Sequence, residues 1–201
     1  MNMLRSDLEK ISSWIKPGSR VLDLGCGDGT LLEFLQKERQ VSGYGIEIST
    51  KQVICCLEKG VNIIQADIDA GLADFDENSF DYVIMTQALQ ALQRPDQTLK
   101  EMLRVGEQSI VTFPNFGLWR HRLQLATGGK MPVSKALPAQ WYETENIHLC
   151  TVDDFEAFCS QQDISVLQRD IVDYDHKADW LMRLWPNLFG ELALYRIKNR
   201  R

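Results

Sequence analysis

Apolar positions along this chain fall into two alternating rhythms. Short apolar runs at residues 21–24, 41–48, 61–66, 81–85 and 109–113 are each followed by a stretch in which apolar residues recur at helical spacing. Val21, Leu22 and Leu24 suit a strand covered on both faces. Strand and helix in repetition predict βαβ units and a parallel sheet. Two more strand patterns, at residues 164–171 and 191–197, end the chain, and the last connection reads as antiparallel. The expectation is a single α/β domain over residues 1–201, three-layered and Rossmann-like, with a mostly parallel seven-stranded sheet and an antiparallel last strand.

Polar punctuation refines the helices. Leu4, Leu8, Ile11 and Ile15 form a stripe that Ser6 and Glu9 open as a capping box, and this stripe is expected to pack on the sheet. Thr30 with Glu33 and Ser49 with Gln52 offer two more boxes, and Gly60 a C-cap. Pro95 and Asp96 start a helix that should end near Gly106, and Thr151 or Asp153 caps the helix carrying Phe155 and Phe158. Leu89 and Leu92 read as helix packing. Gln87 and Gln90 present amides either to a ligand or to water. Trp180, Leu181, Leu184, Trp185 and Phe189 are expected in the core.

Candidate chemistry gathers at the ends of the first three strands. The first runs from Asp23 into Gly25, Cys26, Gly27 and Gly29, where glycines let the backbone turn tightly and approach a ligand. The loop precedes a helix N-terminus, which favours a negatively charged ligand group. The second strand ends at Glu47, beside Ile48, where a carboxylate accepts hydrogen bonds from ribose hydroxyls. The third is closed by Asp67 and Ile68. A tight turn without a ligand accounts for the glycines alone, and a solvated carboxylate for Asp67 alone. Their order along the chain points to a cofactor site.

The spacing G-x-G-x-G after Asp23, rather than G-x-G-x-x-G, resembles motif I of the class I S-adenosylmethionine-dependent methyltransferases. That resemblance implies the methyltransferase fold and S-adenosylmethionine or S-adenosylhomocysteine as the ligand, its methionine end on the glycine loop. It implies Asp67 on the adenine amino group, the next backbone N–H on the ring, and Met85 to Gln87 lining the cofactor and facing the transferable methyl group.

Composition narrows the classes. A net charge of −6 and a pI near 5.1 argue against nucleic acid. The sequence has no apolar run long enough for a membrane span and no apolar signal-peptide core. Its five cysteines lack C-x-x-C spacing, which predicts reduced thiols in a cytoplasmic protein. His121, His148 and His176 are scattered, so no metal site is expected. Between Glu107 and Glu143 there is no acidic residue, while Arg120, Arg122, Lys130 and Lys135 all fall in that span. Residues 117–147 therefore read either as a lid or docking segment for an anionic ligand or acidic protein face, or as a solvated basic loop.

Longer strings are more specific. L-R-S-D-L-E from Leu4, L-D-L-G-C-G-D-G-T-L-L from Leu22, S-F-D-Y-V-I-M-T-Q-A-L-Q from Ser79, F-P-N-F-G-L-W from Phe113 and W-Y-E-T-E-N-I-H-L-C-T-V-D-D-F-E from Trp141 closely resemble the MetW family. That family has a methyltransferase-like fold and is associated with bacterial methionine biosynthesis. The resemblance implies an accessory or regulatory partner of homoserine O-acyltransferase, an α/β-hydrolase that acylates the homoserine hydroxyl. The alternative is a methyltransferase acting on a small molecule not yet identified. Catalytic residues are not assigned. His148, His121 and Tyr142 are polar candidates, with His148 expected to fix the segment rather than to act as a base. Phe113-Pro114-Asn115-Phe116 stands where amino-methylating relatives carry N-P-P-Y, which argues against methylation of nucleic-acid bases or protein amides.

Overall fold

The computed structural model describes residues 6–173 and 180–200, Ser6 by its backbone alone. Leu4, the Ser6 hydroxyl and His176 lie outside the described residues. The chain runs α1 (Ser6–Trp14), β1 (Arg20–Leu24), α2 (Thr30–Arg39), β2 (Ser42–Glu47), α3 (Thr50–Glu58), β3 (Ile63–Gln65), β4 (Phe80–Thr86), α4 (Pro95–Val105) and β5 (Gly106–Pro114). It continues with α5 (Trp119–Gly128), α6 (Val152–Gln161), β6 (Ile164–Val172), α7 (Trp180–Leu184), α8 (Pro186–Phe189) and β7 (Leu192–Asn199). Short 3₁₀ turns occupy Ile68–Ala70 and Leu89–Ala91.

All seven expected strands form one sheet in the order β3-β2-β1-β4-β5-β7-β6. β1 pairs in parallel with β2 and with β4, so that Leu22 faces both Tyr44 and Val83, and β2 pairs in parallel with β3. β7 runs antiparallel to β6. After β3 the chain returns to the far side of β1 to lay down β4. The carboxyl ends of β1 and β4 thus bound the point where strand order reverses, where open α/β sheets bind ligands.

Two compact units divide the contacts. The first holds the described residues up to Ala88 together with Arg94–Val111. Its core is the fully buried set Val21, Leu22, Leu24, Val83, Ile84 and Met85 of the strands with Leu32 and Leu35 of α2. Ile11 and Ile15 are buried as the stripe required.

The second unit takes Leu89–Gln93 and the residues from Thr112 onward. Phe113, Phe155 and Tyr195 form its aromatic centre, with ring centroids 5.0, 5.9 and 4.7 Å apart. The buried Tyr195 hydroxyl donates to Glu156 Oε1 at 2.8 Å, and Arg169 donates to the same oxygen at 2.7 Å. Asn115, fully buried, ties its own loop to the start of α6 and to α8. Its Nδ2 donates to the carbonyls of Asn187 and Gly190, and its Oδ1 accepts the N–H groups of Gly117 and Val152.

Helix ends follow the sequence in part. Thr151 caps α6 in a full capping box with Asp154, and α4 runs from Pro95 to its cap at Gly106. Gly60 closes α3 in a Schellman arrangement: its N–H donates to Leu57 O at 3.0 Å, and the Val61 N–H to Cys56 O at 2.9 Å. The two boxes at Thr30 and Ser49 do not form. Gly29, with φ 76°, takes the N-cap of α2, and Asp28 captures both the N–H and the hydroxyl of Thr30. Ser49 sits at the N-cap of α3 without a side-chain bond, its N–H donating to Glu47.

The aromatic stretch before β7 also departs from expectation. Trp180, Leu184 and Trp185 are 64%, 60% and 55% exposed rather than in the core. Trp180 and Leu184 are one turn apart on a helix of five residues, and the face they share is turned to solvent.

Candidate functional site

The first unit brings the ends of β1, β2, β3 and β4 together around the glycine loop. The N–H groups of Gly25 and Cys26 both donate to Ile46 O, at 2.9 and 3.2 Å, so the loop leaves β1 along the β2 ladder before turning away. Gly25, Gly27 and Gly29 all have positive φ, 69°, 55° and 76°, which side-chain-bearing residues rarely adopt. A Cβ at Gly25 would lie 3.2 Å from Ala88 Cβ and 3.7 Å from Ile68 Cδ1, so the loop meets the ends of β4 and β3 there. A Cβ at Gly27 would meet none of the described residues within 4 Å: the loop opens onto empty space there.

Carboxylates frame the loop. Glu47 at the end of β2 accepts the Gly27 N–H on Oε2 at 3.0 Å and the Ser49 N–H on Oε1 at 2.9 Å. Each oxygen keeps a further lone pair, so the side chain is held in place and still able to accept two more hydrogen bonds. Asp23 is buried within β1, and its Oδ1 has no hydrogen-bond partner among the described residues. Burial first, and the nearby Glu47 charge second, raise its pKa from 3.8 to about 8. A buried carboxyl oxygen without a partner is costly unless a donor or cation reaches it.

Other expected residues occupy varied places. Ile48 is 61% exposed just beyond Glu47, an apolar side chain facing water at a strand end. Asp67 is exposed and accepts the Asp69 N–H at 2.9 Å to open the short turn that holds Ile68. Met85 is fully buried in β4 opposite Leu24, so its side chain belongs to the core. Gln87 is exposed just past β4 with φ 56°, a left-handed conformation uncommon outside glycine. Cys26 and Cys56 are buried with their sulfurs 4.0 Å apart, and Cys56 Sγ contacts Gly27 O at 3.2 Å.

One pairing at the loop had no signal in the sequence. Lys59 donates to Asp28 Oδ2 at 2.6 Å and to Thr30 Oγ1 at 2.7 Å, pinning the loop to the end of α3. Partial burial opposes ionisation of Asp28, yet the Lys59 and Thr30 hydrogen bonds hold its pKa below the usual carboxylate value.

Of the polar candidates in the second unit, His148 and His121 make hydrogen-bond contacts within it. His148 Nε2 lies 3.2 Å from Gln93 O, and the N–H groups of Ile147 and His148 both donate to Gln90 O. Gln90 is buried rather than exposed, its amide donating to Pro114 O at 2.9 Å. His121 is buried with Nε2 2.9 Å from Ser134 Oγ, and burial lowers its pKa. Tyr142 is 66% exposed. Among the described residues no helix is long and apolar enough to cross a membrane, and no three His, Cys, Asp or Glu side chains gather as a metal site.

Comparison with known proteins places the chain. Residues 5–197 match the family described as Methionine biosynthesis protein MetW. A bifunctional methionine biosynthesis protein MetXA/MetW of Rhodopirellula baltica is 32% identical over 200 residues, covering 95% of this chain. The chain spans about a third of that relative's length, 32%. Among solved structures, a SAM-dependent methyltransferase from Archaeoglobus fulgidus superposes with a TM-score of 0.69 at 16% identity, over 98% of this chain and 93% of that one. The [4+2]-cyclase SpnF superposes with a TM-score of 0.68 at 18% identity, over 97% of this chain and 81% of its own. At such identities the likeness is one of fold, which fits the seven-stranded sheet.

Proposed function

Because the chain belongs to the MetW family of methionine biosynthesis proteins, we propose that it binds S-adenosylmethionine at its glycine loop and serves as an accessory partner of homoserine O-acyltransferase. The observation that carries the ligand is the buried, unpartnered Asp23 Oδ1 beneath a loop that opens onto empty space at Gly27. The methionine end of S-adenosylmethionine bears an ammonium and a sulfonium, and a buried carboxyl without a donor is complementary to positive charge. Glu47 would hold the ribose hydroxyls with its remaining lone pairs, and Gly25, Cys26, Gly27 and Gly29 the methionine end. Ile48, Asp67 and Ile68 would hold the adenine, with the backbone of Met85 in β4 and Gln87 just past the strand beside them. Bound there, the cofactor supplies a methyl group on an activated sulfonium.

The partnership rests on the family and on the relative that carries a MetXA and a MetW portion in one polypeptide. A ligand that binds one state of a complex better than another shifts its population, so S-adenosylmethionine, the pathway's downstream product, would act as a feedback signal. The test is the rate of homoserine acylation by the cognate acyltransferase as this protein is titrated in, with and without S-adenosylmethionine. A rise that saturates near equal stoichiometry is the expected result. An unchanged rate removes the accessory role and leaves a methyltransferase of a small molecule as the reading to pursue.

A further inference from the structure

Among the described residues nothing covers an apolar face of α5. Every one of its residues except His121 is exposed, although it carries Trp119, Leu123 and Leu125. Leu123 is 51% and Leu125 45% exposed. Beside its C-terminal half lies an open groove of about 940 Å³, lined by Gln124, Thr127, Lys130, Met131, Val133 and Trp141. Trp141 is 72% exposed. A solvated helix normally turns leucines inward. Here Trp119 and Leu123, one turn apart, share an exposed face, and exposed apolar surface rimmed by polar residues marks a protein contact. Trp, Met and Arg are the residue types that interfaces gather.

The charge around this patch says what covers it. Residues 108–142 hold four Lys and Arg and no Asp or Glu, in a chain with 28 acidic and 22 basic side chains. Arg120 lies over the Trp119 ring at 5.6 Å and pairs with Glu191 at 3.8 Å, so the cation at the groove itself is Lys130, which lines it. A second copy meeting this face about a two-fold axis would set the same cations against one another. The complement is a different protein that presents acidic groups around an apolar centre. We propose that α5 and residues 129–142 form the docking face for such a surface, that of the acyltransferase; this rests on the partnership proposed above.

Binding of the cognate acyltransferase, measured by calorimetry on the full chain, tests it. The variants are Leu123→Glu, Lys130→Glu and, as a control on α3 of the first unit, Leu57→Glu, whose side chain is 61% exposed. The expected result is a loss of about tenfold or more in affinity for each of the first two, with the Lys130→Glu loss shrinking at high salt and the control unchanged. Wild-type binding that survives both substitutions overturns the docking face and leaves the partnership standing. No wild-type binding removes the partnership and this proposal with it. Self-association abolished by the same substitutions, without heterologous binding, assigns the face to a second copy and overturns the proposal. Should Leu123→Glu alter the circular dichroism or melting profile, the Lys130→Glu exchange on the exposed loop decides alone.

Discussion

Glu47 reaches from the end of β2 to the backbone of Gly27, accepting its N–H at 3.0 Å. One side chain thereby fixes the position of the loop and presents its own remaining lone pairs in the same place. Glu47→Ala removes both functions, and hydrogen bonds to a charged group are worth roughly 1.5–3 kcal/mol. The expected loss of S-adenosylmethionine affinity by calorimetry is therefore about 10–100-fold, with Glu47→Gln falling between.

Asp23 makes stability depend on pH. Its pKa is raised to about 8 by burial and then by Glu47. Between the unfolded value of 3.8 and that value, the folded protein keeps a proton that the unfolded chain has released. Stability thus falls as pH rises through this window, by up to ~1.4 kcal/mol per unit, and levels off above it. Thermal melts across the range should display the slope, and Asp23→Asn should flatten it. A cationic ligand favours the ionised form, so S-adenosylmethionine should bind with proton release, read as a buffer-dependent enthalpy.

Two loop glycines should separate strain from function. Gly27→Ala places its methyl in open space at φ 55°, costing about 1–2 kcal/mol of stability and about tenfold or more in ligand affinity. Gly29→Ala adds to the same backbone strain a Cβ 2.9 Å from Cys56 Sγ. Its cost in urea denaturation should reach roughly 2–4 kcal/mol.

Asn115→Ala leaves two carbonyls and two N–H groups of the second unit without partners. The expected destabilisation is about 2–4 kcal/mol, read from the denaturation midpoint.

The strands were legible because each is a short apolar run whose period changes at its end. Asp23, Glu47 and the glycines were legible because they sit at those ends. What escaped were contacts between residues distant in sequence. Lys59 lies 31 positions from Asp28, and Asn115 reaches 72 and 75 positions to Asn187 and Gly190. Nothing local marks either pair. The cap at Thr30 was misread because three neighbours compete for one turn: Gly29 takes the left-handed cap, Asp28 the hydroxyl, and Thr30 is left as the first helical residue. The aromatics at α7 were misread because five helical residues are too few to set a period and so to choose a face.

Cys26 and Cys56, 4.0 Å apart and both buried, give the protein a chemical clock of its own. Burial pushes both thiol pKas up, which keeps them in the unreactive protonated form. A thiol reagent can label them only when the glycine loop and α3 part, so the labelling rate counts loop openings without any introduced dye. Whatever settles into the loop should slow that clock, and by how much measures how firmly the loop has been shut.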